Sequence, residues 1–197
     1  NTESFLWDKT IRVISRKDGS LLSYLTDDYG IFAGYSFRFI PNSNNVLGIT
    51  KYVGPADLDY FELNSSGSSI THYDDSYHDQ YQIAPSIFEV SDNGKYLVTS
   101  MTGHLFTATP QMVYLGTIGD DWNRFSDFAF SADGSTIYAG GYNSKKIFTI
   151  AYPSLAKEEQ TIRGYPKFLF RRNNELIIIS MVDNELFNFG IEKIKLN

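Results

Sequence analysis

Short apolar runs alternate with turn residues along the chain, and the clearest example begins at Phe128. Phe128 and Phe130 stand two positions apart, so both side chains face the same side of a predicted strand. The tetrad that follows, Ser-Ala-Asp-Gly at 131–134, is typical of a tight turn, because its final glycine accepts a left-handed backbone. Further β-branched and aromatic runs at 137–139 and 146–150 complete a predicted antiparallel meander.

The same register recurs at steps of 40 residues, with leading phenylalanines at Phe88, Phe128 and Phe168. A looser copy begins at Phe37, 51 residues before Phe88. Each copy also contains a later predicted third strand with an apolar residue followed by phenylalanine, and these pairs are Tyr60-Phe61, Leu105-Phe106, Ile147-Phe148 and Leu186-Phe187. Repeats of about 40 to 50 residues with four short strands each predict the blades of a β-propeller.

The repeat reads F-x-F, then S-x-D/N-G, then three apolar residues, and it resembles the β-propeller superfamily, closest to the YVTN-type and WD-like repeats of bacteria. The resemblance implies an all-β fold of four-stranded antiparallel blades. We expect a partial N-terminal blade at 1–26, followed by four complete blades at 35–73, 86–118, 127–162 and 167–196. The chain would be a single propeller domain or the C-terminal portion of a larger propeller.

The partial blade lacks its innermost strand in this interpretation, because its remaining strands are predicted near Phe5, at 10–14 and at 21–25. An unpaired sheet edge invites pairing with another strand. Two explanations remain open. Residues upstream of Asn1 supply the strand, within a propeller of about six to eight blades, or a second chain pairs with the edge near Phe5.

The F-x-F pattern also predicts the core. Residues that share one face of a strand bury that face against a neighbouring blade. The side chains expected between blades are Phe128, Phe130, Phe148, Phe168 and Phe170.

Charge and composition exclude some classes of partner. The net charge of −6 argues against nucleic acid, because its recognition needs a basic surface. No apolar run approaches membrane-spanning length, and the absence of cysteine excludes a disulfide framework or a thiolate site. The chain begins at Asn1 without a basic-then-apolar leader, so we expect a leader or an upstream region to have been removed. With the bacterial repeat type, this predicts an extracytoplasmic bacterial protein.

Three of the predicted inter-blade loops carry an acidic pair: Asp27-Asp28, Asp74-Asp75 and Asp120-Asp121. A ring of such carboxylates would suit a cationic ligand or a divalent cation such as calcium, which prefers hard oxygen donors. The alternative is that each Asp hydrogen-bonds local backbone amides and stays solvated.

Aromatic side chains fall in the same predicted loops. Tyr29, Tyr77, Trp122 and Tyr142 could offer apolar faces beside polar groups, as a sugar or peptide ligand requires, or they could be scattered loop tyrosines without a role. His72 and His78 flank an acidic and aromatic stretch, which suggests either a transition-metal site or an ordinary solvated loop.

The sequence contains no linear catalytic motif: no G-x-S-x-G elbow, no G-x-G-x-x-G, no H-E-x-x-H and no phosphate loop. We therefore expect a non-catalytic recognition or scaffold domain that binds a protein segment or a glycan through its loop face. The alternative is a propeller enzyme of the lactonase or lyase kind that uses channel-face carboxylates, with or without a divalent cation. A third hypothesis is a structural segment of a larger envelope protein.

Overall fold

A computed structural model describes residues 10–26, 34–52, 54–77, 80–120, 122–183 and 188–196. These residues contain 17 strands and no helix, so the predicted all-β class is confirmed. Each sheet is an antiparallel meander in which consecutive strands pair. The described residues contain no helix that is long and apolar enough to cross a membrane.

The strands form five sheets, which we number in chain order. The first sheet contains β1 (Thr10–Ile14) and β2 (Leu21–Thr26). The second contains β3 (Tyr35–Phe39), β4 (Val46–Thr50), β5 (Leu58–Leu63) and β6 (Ile70–Asp74). The third contains β7 (Phe88–Val90), β8 (Tyr96–Thr99), β9 (His104–Thr107) and β10 (Tyr114–Thr117). The fourth contains β11 (Phe125–Phe130), β12 (Thr136–Gly141), β13 (Lys146–Ala151) and β14 (Ala156–Thr161). The fifth contains β15 (Tyr165–Arg172), β16 (Glu175–Met181) and β17 (Phe189–Lys195).

The predicted tight turn between β11 and β12 forms because its own side chains satisfy the backbone. The Ser131 hydroxyl donates to Asp133 Oδ1 at 2.6 Å and accepts the Thr136 N–H at 2.9 Å. Gly134 has φ +73°, a left-handed conformation that costs glycine little. Asn93 of the corresponding turn in the third sheet donates to the Asp133 carbonyl, so the turns of adjacent sheets contact each other.

Three hydrophobic clusters lie between consecutive sheets. Phe88 and Val90 pack with residues of the second sheet, and Phe128 and Phe130 pack with residues of the third. In the third and fourth sheets, therefore, the face that carries the F-x-F side chains is buried against the preceding sheet. Phe148 belongs to the same cluster as Phe128, so three of the five predicted core phenylalanines are buried.

The prediction is wrong for the other two, because the fifth sheet presents its opposite face to the fourth. Phe168 and Phe170 are 53% and 52% exposed, whereas Leu169 between them is buried against Ala129 and Tyr138. Gly140 permits this packing, since a Cβ there would lie 2.9 Å from the Leu169 Cδ1 atom.

A second correction concerns the number of strands in the last repeat, which we expected to be four. In the described part of the fifth sheet there are three, and β17 pairs directly with β16 from Met181 opposite Phe189 onward. Residues 191–195 thus occupy the third position and not the fourth, because they pair residue by residue with β16, from Ile179 opposite Ile191 to Glu175 opposite Lys195. The third strand predicted at Leu186-Phe187 lies outside the described residues.

The first sheet makes few contacts with the others. Its strands β1 and β2 form as predicted, and Val13 and Leu22 approach Gly67 in the β5–β6 turn. The Ser23 hydroxyl donates to the Gly67 carbonyl at 2.7 Å. The predicted strand near Phe5 lies outside the described residues.

Candidate functional site

A surface groove opens where the loop between the third and fourth sheets meets the β12–β13 turn. The Tyr142 N–H donates to the Arg124 carbonyl at 2.8 Å and fixes the two segments side by side. The groove has a volume of about 320 Å³. Its lining consists of Trp122, Asn123, Arg124, Asn143, Ser144, Lys146 and Phe148.

Asp120 shapes the loop that presents Trp122. Its Oδ1 atom accepts the N–H groups of Trp122 and Asn123 at 2.9 and 2.8 Å, and the Asn123 side-chain amide donates to both carboxylate oxygens. These hydrogen bonds, first those from Asn123, lower the pKa of Asp120. With its backbone held in this way, the loop leaves the Trp122 side chain 94% exposed.

The lining of the groove is polar and carries positive charge. Of the described lining residues, Arg124 and Lys146 contribute two cations, and none carries a carboxylate. Lys146 Nζ lies 2.7 Å from Glu159 Oε1 on the neighbouring strand, so its charge is balanced locally. Within the described residues, the Arg124 guanidinium has neither a hydrogen-bond nor an ion-pair partner.

Of the acidic pairs predicted from the sequence, only Asp74, Asp75 and Asp120 lie in the described structure. Asp75 is buried and accepts the N–H groups of Leu58 and Tyr77 at 2.8 and 2.7 Å, as Asp120 does in its own loop. Asp74 is exposed at the end of β6. Five further residues of the predicted site lie outside the described part of the chain: Asp27, Asp28, Tyr29, His78 and Asp121.

The three described aromatic residues of the predicted site have different surroundings. Tyr77 is half-buried, and its hydroxyl accepts the Tyr114 N–H at 2.7 Å, so it joins the second and third sheets. Tyr142 lies next to the groove residue Asn143, and Lys167 Nζ lies 5.4 Å from its ring centroid. Only Trp122 of the described set lines the groove itself.

His72 lies on β6 and pairs with a buried carboxylate. Its Nε2 atom lies 2.5 Å from Oδ1 of the fully buried Asp59. Burial lowers the pKa of His72, but the hydrogen bond and charge of Asp59 outweigh it and raise the pKa. Within the described ranges, no group of three or more His, Asp or Glu side chains is arranged to hold a metal ion.

A second polar cluster, which sequence analysis missed, lies along the first strands of the sheets. We call it the first-strand cluster; it comprises Arg38, Glu89, Asp92, Asp127 and Arg171. Arg38 Nε lies 3.2 Å from Glu89 Oε2, and Arg171 pairs with Asp92. Asp127 Oδ2 accepts the Leu169 N–H at 2.8 Å. A cleft of about 220 Å³ borders the cluster at Glu89, Asp92 and Arg171.

Two carboxylates of the first-strand cluster, Asp127 and Glu89, have raised pKa values. Burial raises the pKa of Asp127 to about 6, against the lowering effect of the Leu169 and Phe128 N–H groups. Burial also raises the pKa of Glu89, although Arg38 opposes the shift. The sequence contained a signal for this cluster. Arg38 and Glu89 are the middle residues of the triplets 37–39 and 88–90. The middle residue of such a strand points away from the face that carries its two apolar neighbours.

Comparison of the sequence with protein-family models and with curated proteins gave no match. The chemistry of the groove and of the first-strand cluster therefore supplies the functional argument.

Proposed function

We propose that this protein is a non-catalytic recognition domain that binds a glycan in the groove beside Trp122. The observation that supports the proposal most is the exposure of the Trp122 indole next to two amide side chains, Asn123 and Asn143. A large aromatic side chain exposed in this way forgoes substantial burial energy. Saccharides bind well to such a surface, because their C–H faces pack on the ring while their hydroxyls hydrogen-bond to amides.

A glycan fits the groove better than a protein segment does, which is the other ligand class expected from the sequence. The groove is open, has room for about one or two sugar rings at 320 Å³, and offers side-chain amide and hydroxyl groups. Recognition of an extended peptide commonly uses a free strand edge, and here the groove is formed by a loop and a turn.

We further propose that the five sheets are blades of a propeller. The packing of consecutive sheets through three hydrophobic clusters supports the blade arrangement. A propeller arrangement would also suit glycan recognition on the loop face, because propellers display inter-blade loops on a rigid scaffold.

Glycan-array screening followed by calorimetry of the hits tests the proposal. Trp122→Ala is expected to weaken binding by about tenfold or more, the loss of roughly 1.4 kcal/mol of stacking. Tyr52→Ala is the matched control, since Tyr52 is also 94% exposed on a loop but does not line the groove. No binding to any saccharide, or binding to peptides alone, would disprove the glycan assignment.

A second candidate function is catalysis of the lactonase or lyase kind at the first-strand cluster. The raised pKa of Asp127, about 6, is the specific observation in its favour, because a general base works best when its pKa lies near the operating pH. A screen of lactones and uronate polymers, with Asp127→Asn as the inactive control, tests it. Turnover that Asp127→Asn leaves unchanged would exclude this residue as the base.

A further inference from the structure

We propose that the sugar unit bound in the groove carries a carboxylate, as uronic and sialic acids do, and that Arg124 pairs with it. The inference rests on the proposed glycan binding and adds the class of sugar. It would make Arg124 the residue that distinguishes acidic from neutral saccharides.

The charge of the lining is the first support. Among the described residues that line the groove there are two cations and no carboxylate, although the whole chain has a net charge of −6. A local set of this sign favours an anionic group on the ligand, because opposite charges at close range attract strongly where solvent is partly excluded.

The two cations are not equivalent, which singles out Arg124. Glu159 already balances Lys146 at 2.7 Å. The exposed Arg124 side chain has no such partner among the described residues, while its backbone carbonyl is held by the Tyr142 N–H at 2.8 Å. The position is fixed and the guanidinium is free to bind.

Geometry favours a carboxylate on the ligand. A guanidinium donates two parallel N–H···O bonds to a carboxylate, which adds direction as well as charge. Trp122 and Arg124 are separated by one residue in the same loop, so a sugar ring packed on the indole can place its carboxylate beside the guanidinium. The Asn143 amide then remains for the ring hydroxyls, together with the side-chain carbonyl of Asn123, whose NH2 group is held by Asp120.

The experiment uses two matched pairs of probes in calorimetry with the full chain. The first pair is a hexagalacturonate and its methyl ester, and the second is sialyllactose and lactose. We expect the acidic member of at least one pair to bind about tenfold more tightly, the preference that one bidentate charge-assisted contact provides. A sulfated hexasaccharide that contains no carboxylate shows whether any anion suffices, and equal affinity for it would overturn the assignment to carboxylate.

The variant Arg124→Gln should reduce the acidic preference to less than about twofold, while Arg124→Lys should retain part of it because it keeps the charge without the fork. Arg172→Gln is the control for net charge, since Arg172 is exposed on β15 and does not line the groove. Equal binding of acidic and neutral probes, abolished by Trp122→Ala, would overturn only the inference about Arg124. Absence of binding to every probe would overturn the glycan proposal as well.

Discussion

Asp127 shows how the packing of one residue sets its chemistry. Its carboxylate lies partly buried between β11 and β15 and accepts the Leu169 N–H. Burial raises its pKa to about 6, above the ordinary value near 4. Between about pH 4 and pH 6 the native protein therefore holds a proton that the unfolded chain has already lost, so the Asp127 contribution to stability falls as pH rises through this window.

We expect Asp127→Asn to remove this dependence, because an asparagine Oδ1 can still accept the Leu169 N–H but carries no charge. The melting temperature of the variant should equal that of the parent near pH 4 and exceed it by about 2 to 4 °C at pH 7, the shift that ~1 kcal/mol gives in a chain of this size. Thermal melts across pH 4 to 7 measure the difference. A constant difference at every pH would mean that Asp127 does not titrate in this window.

At the scale of the strand, equivalent positions in two sheets have opposite environments. Phe130 and Phe170 are 40 residues apart, and each pairs with the strand that follows it, Phe130 with Ile137 and Phe170 with Ile177. Phe130 is buried in the cluster between the third and fourth sheets, whereas Phe170 is half exposed. What differs is which face of the sheet has a neighbour.

Alanine substitution at the two positions should separate their contributions. Phe130→Ala is expected to lower the free energy of unfolding by about 3 to 5 kcal/mol, because it empties a packed site. Phe170→Ala, the matched control, should cost less than about 1 kcal/mol. Chemical denaturation measures both. Losses of equal size would contradict the reversed packing of the fifth sheet.

Local patterns predicted the parts of the fold that local chemistry decides. The tetrad before Gly134 and the F-x-F spacing at Phe128 gave the turns, the strands and their register, since both depend on nearby residues. The exposed face of Phe168 was not predicted, because the shared F-x-F spacing leaves open which side of the strand receives a neighbouring sheet. Glu89 and Asp127 were missed for the same reason, as their burial comes from strands distant in sequence.

For the candidate site, the sequence indicated Trp122 and Tyr142 as loop aromatics but also directed attention to carboxylates. Asp120 and Asp75 are instead used to hold backbone amides, as one of the two interpretations proposed. Arg124 and Lys146 did not stand out, because isolated cations at strand ends have no distinctive spacing. Their importance follows from the meeting of two segments that are about 20 residues apart.

At the scale of the whole molecule, stability is distributed unevenly. The third and fourth sheets are covered on both faces by hydrophobic clusters. The first sheet exposes several large apolar side chains, among them Leu21 and Tyr24, and approaches the second sheet mainly at Gly67. Regions with few buried apolar contacts open at lower free energy than the global transition.

Hydrogen exchange followed by mass spectrometry should reveal this gradient. We expect peptides covering β1 and β2 to exchange at least about 100-fold faster than those covering β12, a difference of roughly 3 kcal/mol in opening free energy. Peptides of β8 serve as a second reference, because Leu97 and Val98 are fully buried. Comparable protection in β1 and β12 would show that the first sheet is not the least stable unit.

The fifth sheet packs on the fourth through the face opposite to its F-x-F side chains, and this limits the use of the repeat as a template for protein design. Consensus design averages equivalent positions and assumes that each position has the same environment in every unit. Here the same phenylalanine is a core residue at Phe130 and half exposed at Phe170, so the consensus residue does not show whether its face is covered. A designed array based on this chain should therefore take its unit from the third and fourth sheets and assign the terminal sheet a separate, polar outer face.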